Sequence, residues 1–121
     1  MAGPKRVEIS SQVLGDGTVV VKPVGTLDVF TFLELKKHIE EQARAKGVLM
    51  IVDLSRVDYI ASSGWSVLLS RRQAIKRDGG NLSVFAMNEN LRRVYDSMRI
   101  DKMLPSAPDE LGALSMVKAT I

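Results

Sequence analysis

The chain opens in period two. Val7, Ile9, Ser11 and Val13 alternate with Glu8, Ser10 and Gln12, which predicts a strand with one wet face. Gly15-Asp16-Gly17 supplies a turn, and Thr18 to Val24 reads as a second strand, closing an N-terminal hairpin. The period then lengthens. From about Thr31 to Lys46, Phe32, Leu35, Ile39 and Ala43 fall on one face of a predicted helix, and Gly47 stands where a helix stop is expected. Val48-Leu49-Met50-Ile51-Val52 is apolar without alternation, the pattern of a central strand covered on both faces.

After a short loop, a second helix is predicted from about Ser63 to Arg77, closed by Asp78-Gly79-Gly80-Asn81. Leu82 to Ala86 is a further strand. Asn88 stands as cap of a third helix reaching about Met98, with Leu91, Val94, Tyr95 and Met98 at helical spacing. Ile100 to Leu104 reads as a short edge strand, and Pro108-Asp109-Glu110 opens a C-terminal helix. The expected class is α/β: one domain over residues 1–121, a mixed four- to five-stranded sheet with an N-terminal hairpin and about four helices.

Composition removes several function classes. A chain of 121 residues buries a core without staples, and it carries no cysteine. Disulfides and thiolate metal sites are thereby excluded, and a reducing cytoplasm is the compatible setting. The formal charge of +3 is mild, and one Trp, two Tyr and three Phe are too few to interleave with basic residues as nucleic-acid readers do. Met1-Ala2-Gly3-Pro4-Lys5-Arg6 leads into the alternating strand and not into an apolar leader, and Val48–Val52 is too short to cross a bilayer. Neither nucleic acid nor membrane insertion is expected.

Catalytic chemistry is thin. There is no phosphate-binding glycine loop, and Gly79-Gly80 is better explained as a helix stop. His38, the one histidine, falls on the polar side of the first helix and reads as a surface side chain. Asp53 and Asp58 read as a strand-end acid and a loop acid. The expectation is a non-enzyme without metal or cofactor.

The informative segment is Ile60-Ala61-Ser62-Ser63-Gly64-Trp65, where a serine pair meets the start of the second helix. A serine there caps a free N–H and contributes about 1 kcal/mol. The same geometry tolerates a phosphate, because a helix N-terminus carries free donors and partial positive charge. Behind it, Val67, Leu68, Ala74 and Ile75 share the arc that should face the sheet, with Arg71 in the same arc, its head reaching for an acid. Trp65, Leu69, Arg72 and Lys76 lie on another arc. That arc is either an exposed contact patch or the place where Trp65 folds onto a loop or the third helix.

Asp53-Leu54-Ser55, three residues, then Ile60-Ala61-Ser62-Ser63-Gly64-Trp65-Ser66-Val67-Leu68-Leu69 resembles the signature of anti-sigma factor antagonists, the bacterial STAS domains. Gly25-Thr26-Leu27-Asp28 resembles the family's earlier Gly-x-Leu-Asp segment, and the Gly79-Gly80-Asn81-Leu82 turn also fits. The resemblance implies a binding module that sequesters an anti-sigma factor, itself a serine kinase, and so frees a sigma factor. It implies phosphorylation at Ser62, reversed by a serine phosphatase, with Ser63 and Gly64 capping or supporting the helix start. The partner surface is then expected to hold Asp28, Ala61, Ser62, Trp65, Leu69 and Arg72, with a homodimer left open. Ala61 stands where the family commonly has an acid. That departure motivates an alternative: an unphosphorylated STAS adaptor or scaffold subunit of a bacterial signalling or transport complex.

Overall fold

The computed structural model describes residues 7–119; the Met1–Arg6 segment, read above as lacking a leader, lies outside the described residues. The elements are β1 (Val7–Val13), β2 (Val19–Leu27), α1 (Phe32–Gln42), β3 (Leu49–Asp53), β4 (Val57–Ile60), α2 (Ser62–Arg77), β5 (Asn81–Phe85), α3 (Glu89–Ser97), a short 3-10 turn at Ile100–Lys102, β6 (Ser106–Ala107) and α4 (Glu110–Lys118). The class is α/β with an N-terminal hairpin, as the periodicity predicts.

The sheet runs β1-β2-β3-β5-β6, with β4 also paired to β2. Only β1 is antiparallel to its neighbour. The long β2 strand serves two partners in series: Val19–Val21 pair with β3, and Gly25–Leu27 pair with β4, whose register shifts between Gly25 and Thr26. Gly25 takes φ +117° there, a conformation that favours glycine, and its N–H donates to the Arg56 carbonyl at 3.0 Å.

The unalternating apolar run is explained by two cores. Met50 and Val52 point into a large core shared with Leu35, Ile39, Leu68, Leu91 and Tyr95, beneath α1, α2 and α3. Ile51 points the other way, joining Val20, Phe85, Ala113 and Val117 beneath α4. A strand buried on both faces has no wet position to alternate with. No helix among the described residues is long and apolar enough to cross a membrane.

Four local expectations are corrected. The sheet has six strands because β4 lies in what reads as loop. The segment Ile100–Leu104 is not a strand: Ile100 and Leu104 are both buried, and the Leu104 N–H closes a helical turn on the Ile100 carbonyl at 2.9 Å. The sheet edge is instead β6, two residues beside β5. Helix α1 ends at Gln42, because Arg44, Ala45 and Lys46 are exposed and extending the helix would bury nothing. Gly47, with φ +75°, belongs to the following turn and donates its N–H to the Asp78 carbonyl at 2.8 Å.

Candidate functional site

Strands β2 and β4 end side by side, with Leu27 opposite Ile60. From these two ends the chain makes the α2 entry and the β2–α1 loop, so both belong to one corner of the molecule. The Ala61 N–H donates to the Leu27 carbonyl at 2.8 Å, continuing the strand pairing by one residue. Ala61 itself is the N-cap, in extended conformation, and has no side chain to cap with. The serines therefore stand at the first two helical positions, and the expectation that Ser63 caps the helix is not met. Gly64 does not cap either. It is buried, and a Cβ there would lie 2.8 Å from the Ile60 side chain and 2.9 Å from the Leu27 carbonyl oxygen. Close packing fixes the α2 entry, and glycine is what allows it.

The two hydroxyls have different surroundings. Ser62 is exposed. Ser63 is half-buried, and its Oγ is shielded from solvent without a hydrogen-bond partner among the described residues. No acid occupies the first turn of α2, while Lys76 and Arg77 complement the dipole at its far end. The exposed Ser62 hydroxyl thus sits at a helix terminus whose partial positive charge nothing on the first turn neutralises.

Asp28 is tied into its own loop. Its Oδ1 accepts from the Phe30 N–H at 2.9 Å. Thr31, buried, donates its hydroxyl to the Thr26 carbonyl at 2.7 Å and accepts from the Asp28 N–H at 2.9 Å. These bonds brace a turn that holds Val29 (64% exposed), Phe30 (71%) and Leu33 (60%) in water.

The second arc of α2 resolves differently from a surface patch. Trp65 is only 5% exposed and its ring lies against Tyr95 of α3, centroids 6.1 Å apart and tilted by 44°. It folds onto the third helix because α3 covers that arc as the sheet covers the other. Arg72 is a strut: Nε donates to the Leu82 carbonyl at 3.1 Å and Nη1 to the Met103 carbonyl at 2.8 Å. Neither residue is presented to a partner as expected. Arg71 does find an acid, Glu40 on α1, at 3.0 Å. Between α2 and α3 lies a groove of about 310 Å³, floored by Trp65 and Leu69, bordered by Tyr59, Met98 and Met103, and reaching Ser62.

The structure brings Asp28, Ala61 and Ser62 to one corner, with Leu69 in the adjoining groove. Sequence reasoning did not anticipate that Val29, Phe30, Leu33, Met98 and Met103 would be exposed beside this corner and groove. The signal was available for Leu33, which falls off the apolar face of α1. The methionines were absorbed into predicted elements.

The STAS domain family model matches residues 9–113. An anti-sigma F factor antagonist from Paenibacillus polymyxa is 28% identical over 100 residues, covering 82% of this chain and 86% of that protein. The crystal structure of an anti-sigma factor antagonist from Mycobacterium paratuberculosis superposes with a TM-score of 0.83 at 24% identity, covering 98% of this chain and 99% of that one. The phosphorylated form of the Bacillus cell fate determinant SpoIIAA gives 0.67 at 20% identity, covering 91% and 99%. At these identities the structural likeness speaks to fold. The family match spans most of both cores and the α2 entry, and the chain belongs to the STAS domain family.

Proposed function

We propose that this protein is an anti-sigma factor antagonist. It binds an anti-sigma factor that is also a serine kinase, through the corner formed by the α2 entry and the β2–α1 loop, and so releases a sigma factor. The kinase phosphorylates Ser62, which ends binding, and a serine phosphatase restores it. It acts by binding and catalyses nothing itself. The observation that carries this reading is the exposed Ser62 hydroxyl at the uncapped start of α2. A phosphate there adds close to two negative charges at a site the helix dipole favours, so the free domain keeps its fold. Under a partner the same charges must be desolvated, and the complex weakens. The names of the Paenibacillus and Mycobacterium proteins support the partner class.

A pull-down with wild type, Ser62→Ala and Ser62→Asp, read by mass spectrometry, tests this. Wild type and Ser62→Ala should recover one anti-sigma kinase, and Ser62→Asp should recover several-fold less. Equal recovery by all three contradicts regulation at Ser62.

Ala61 favours a second reading. With no carboxylate before the serine, nothing on the N-cap orients its hydroxyl. An unphosphorylated adaptor would hold its partner constitutively and show no phosphoserine in cells. Stoichiometric phosphate at Ser62 in native protein removes that reading.

A further inference from the structure

A second recess lies on the other side of α2, against α1. It is a cleft of about 440 Å³, lined by Lys36 and Phe32 of α1 and by Ser63, Ser66, Ser70 and Arg71 of α2. The α2 residues recur at i, i+3, i+7 and i+8, so one stripe of the helix supplies them all. Two of them carry a polar atom shielded from solvent with no partner among the described residues: Ser63 Oγ and Arg71 Nε. Such atoms are uncommon in folded proteins, and a bound ion or ligand is one reason to keep them.

The charge of the cleft has one sign. None of its lining residues is acidic. Lys36 is half-buried and makes no ion pair among the described residues. Arg71 gives Nη1 to Glu40 at 3.0 Å, but a guanidinium has five donors and Glu40 does not line the cleft. The start of α2, with no acid in its first turn, adds partial positive charge at the same end.

We infer that this cleft binds the phosphate group of a small organic molecule. A phosphate offers more acceptor oxygens than a carboxylate, and this cleft surrounds it with more donors than a carboxylate can use. The Lys36 ammonium and the free edge of the Arg71 guanidinium supply charge-assisted bonds, and the serine hydroxyls reach the remaining oxygens by rotation about χ1. The cleft is larger than a bare phosphate ion, and Phe32 gives the organic part an apolar wall. Ser62 is not part of this site: it opens onto the groove between α2 and α3. An anion held here nevertheless places negative charge at the same helix start, where it opposes a phosphate on Ser62. That consequence rests on the reading of Ser62 as a phosphoacceptor; the binding site does not.

Heteronuclear NMR titration of the full chain, in phosphate-free buffer of low ionic strength, tests it. Phenyl phosphate is the probe and phenol its neutral counterpart. Phenyl phosphate should shift the Ser63, Ser66 and Ser70 amides together and saturably, and phenol should not. Lys36→Ala and Arg71→Met should each raise the Kd roughly tenfold, the loss of one charge-assisted hydrogen bond. Lys76→Ala removes the same charge from the far end of α2 and should leave the Kd unchanged. Circular dichroism confirms folding of each variant. If Arg71→Met unfolds through its lost tie to Glu40, Lys36→Ala decides, because Lys36 holds no ion pair among the described residues. Inorganic phosphate should bind more weakly than phenyl phosphate; equal binding overturns the organic part of the assignment. No saturable shift, equal shifts from phenol, or a Kd unmoved by Lys36→Ala overturns the site. A loss with Lys76→Ala as large as with Lys36→Ala assigns the binding to net charge and overturns it too. The pull-down with Ser62 variants uses none of these substitutions, so either reading can fail alone.

Discussion

Helix α2 begins differently from α3 and α4. Asn88 accepts the Leu91 N–H at 2.8 Å, and Asp109 accepts the Gly112 N–H at 2.9 Å, so both of those helices start with a side-chain cap. Helix α2, the longest in the molecule at 16 residues, starts on Ala61 without one. It is instead fixed by packing: Gly64 presses on Leu27 and Ile60, and the Ala61 N–H extends the sheet. Helix α1 also starts without a side-chain cap bond, on Thr31, but Thr31 has a hydroxyl and ties it to the Thr26 carbonyl, whereas Ala61 has no polar group at all. At α2 the N-cap supplies no side-chain acceptor to the first-turn donors, beside the exposed Ser62. A helix start can be rigid through its backbone packing and still chemically open.

The largest effect should come from disturbing that packing. Gly64→Ala overfills the contact with Ile60 and the Leu27 carbonyl and should cost about 1–3 kcal/mol in urea denaturation. If it is neutral, packing does not hold the α2 entry. Next come the caps. Asn88→Ala should lose about 1 kcal/mol, while Ala61→Asp, supplying the missing cap and an acid at the dipole, should gain about 0.5–1 kcal/mol. A loss on Ala61→Asp would mean that the α2 donors already have acceptors. Ser62→Ala should change stability by less than about 0.5 kcal/mol, because the exposed hydroxyl supports nothing. A larger loss would return Ser62 to a structural role.

The smallest effect concerns His38. Burial lowers its pKa below the ordinary 6.5, partly offset by Glu41, and its Nε2 is shielded without a partner among the described residues. A folded-state pKa below the unfolded one means that the unfolded chain binds the proton more readily. Stability should therefore hold above about pH 6.5 and decline slightly as pH falls through that value. His38→Gln should flatten the urea midpoint across this window, and an unchanged slope assigns the decline to other groups.

Much of this fold was legible because most elements carry their own period. The apolar run of β3 announces burial on two faces, and Asn88 announces a helix start. What escaped were features decided across the chain. Strand β4 is four residues whose register is set by distant β2. The fold of Trp65 onto α3 was one of two readings left open, because one helix's periodicity shows how wide its apolar arc is only when the covering element is known. Arg72 reads as a surface cation until Leu82 and Met103 bring carbonyls to it. At the site, the position of Ser62 was legible, but the division of labour in Ala61-Ser62-Ser63-Gly64 was not. One residue's shift of the helix start moves the cap from a serine to an alanine.

The central claim is that Ser62 is left exposed and unencumbered so that phosphate can control a partner. The direct measurement is phosphosite mapping after incubating wild type and Ser62→Ala with ATP and the kinase recovered in the pull-down. Phosphate on Ser62 of wild type, and none on Ser62→Ala, is the predicted result. Phosphate on another residue, with Ser62 unmodified, would contradict it.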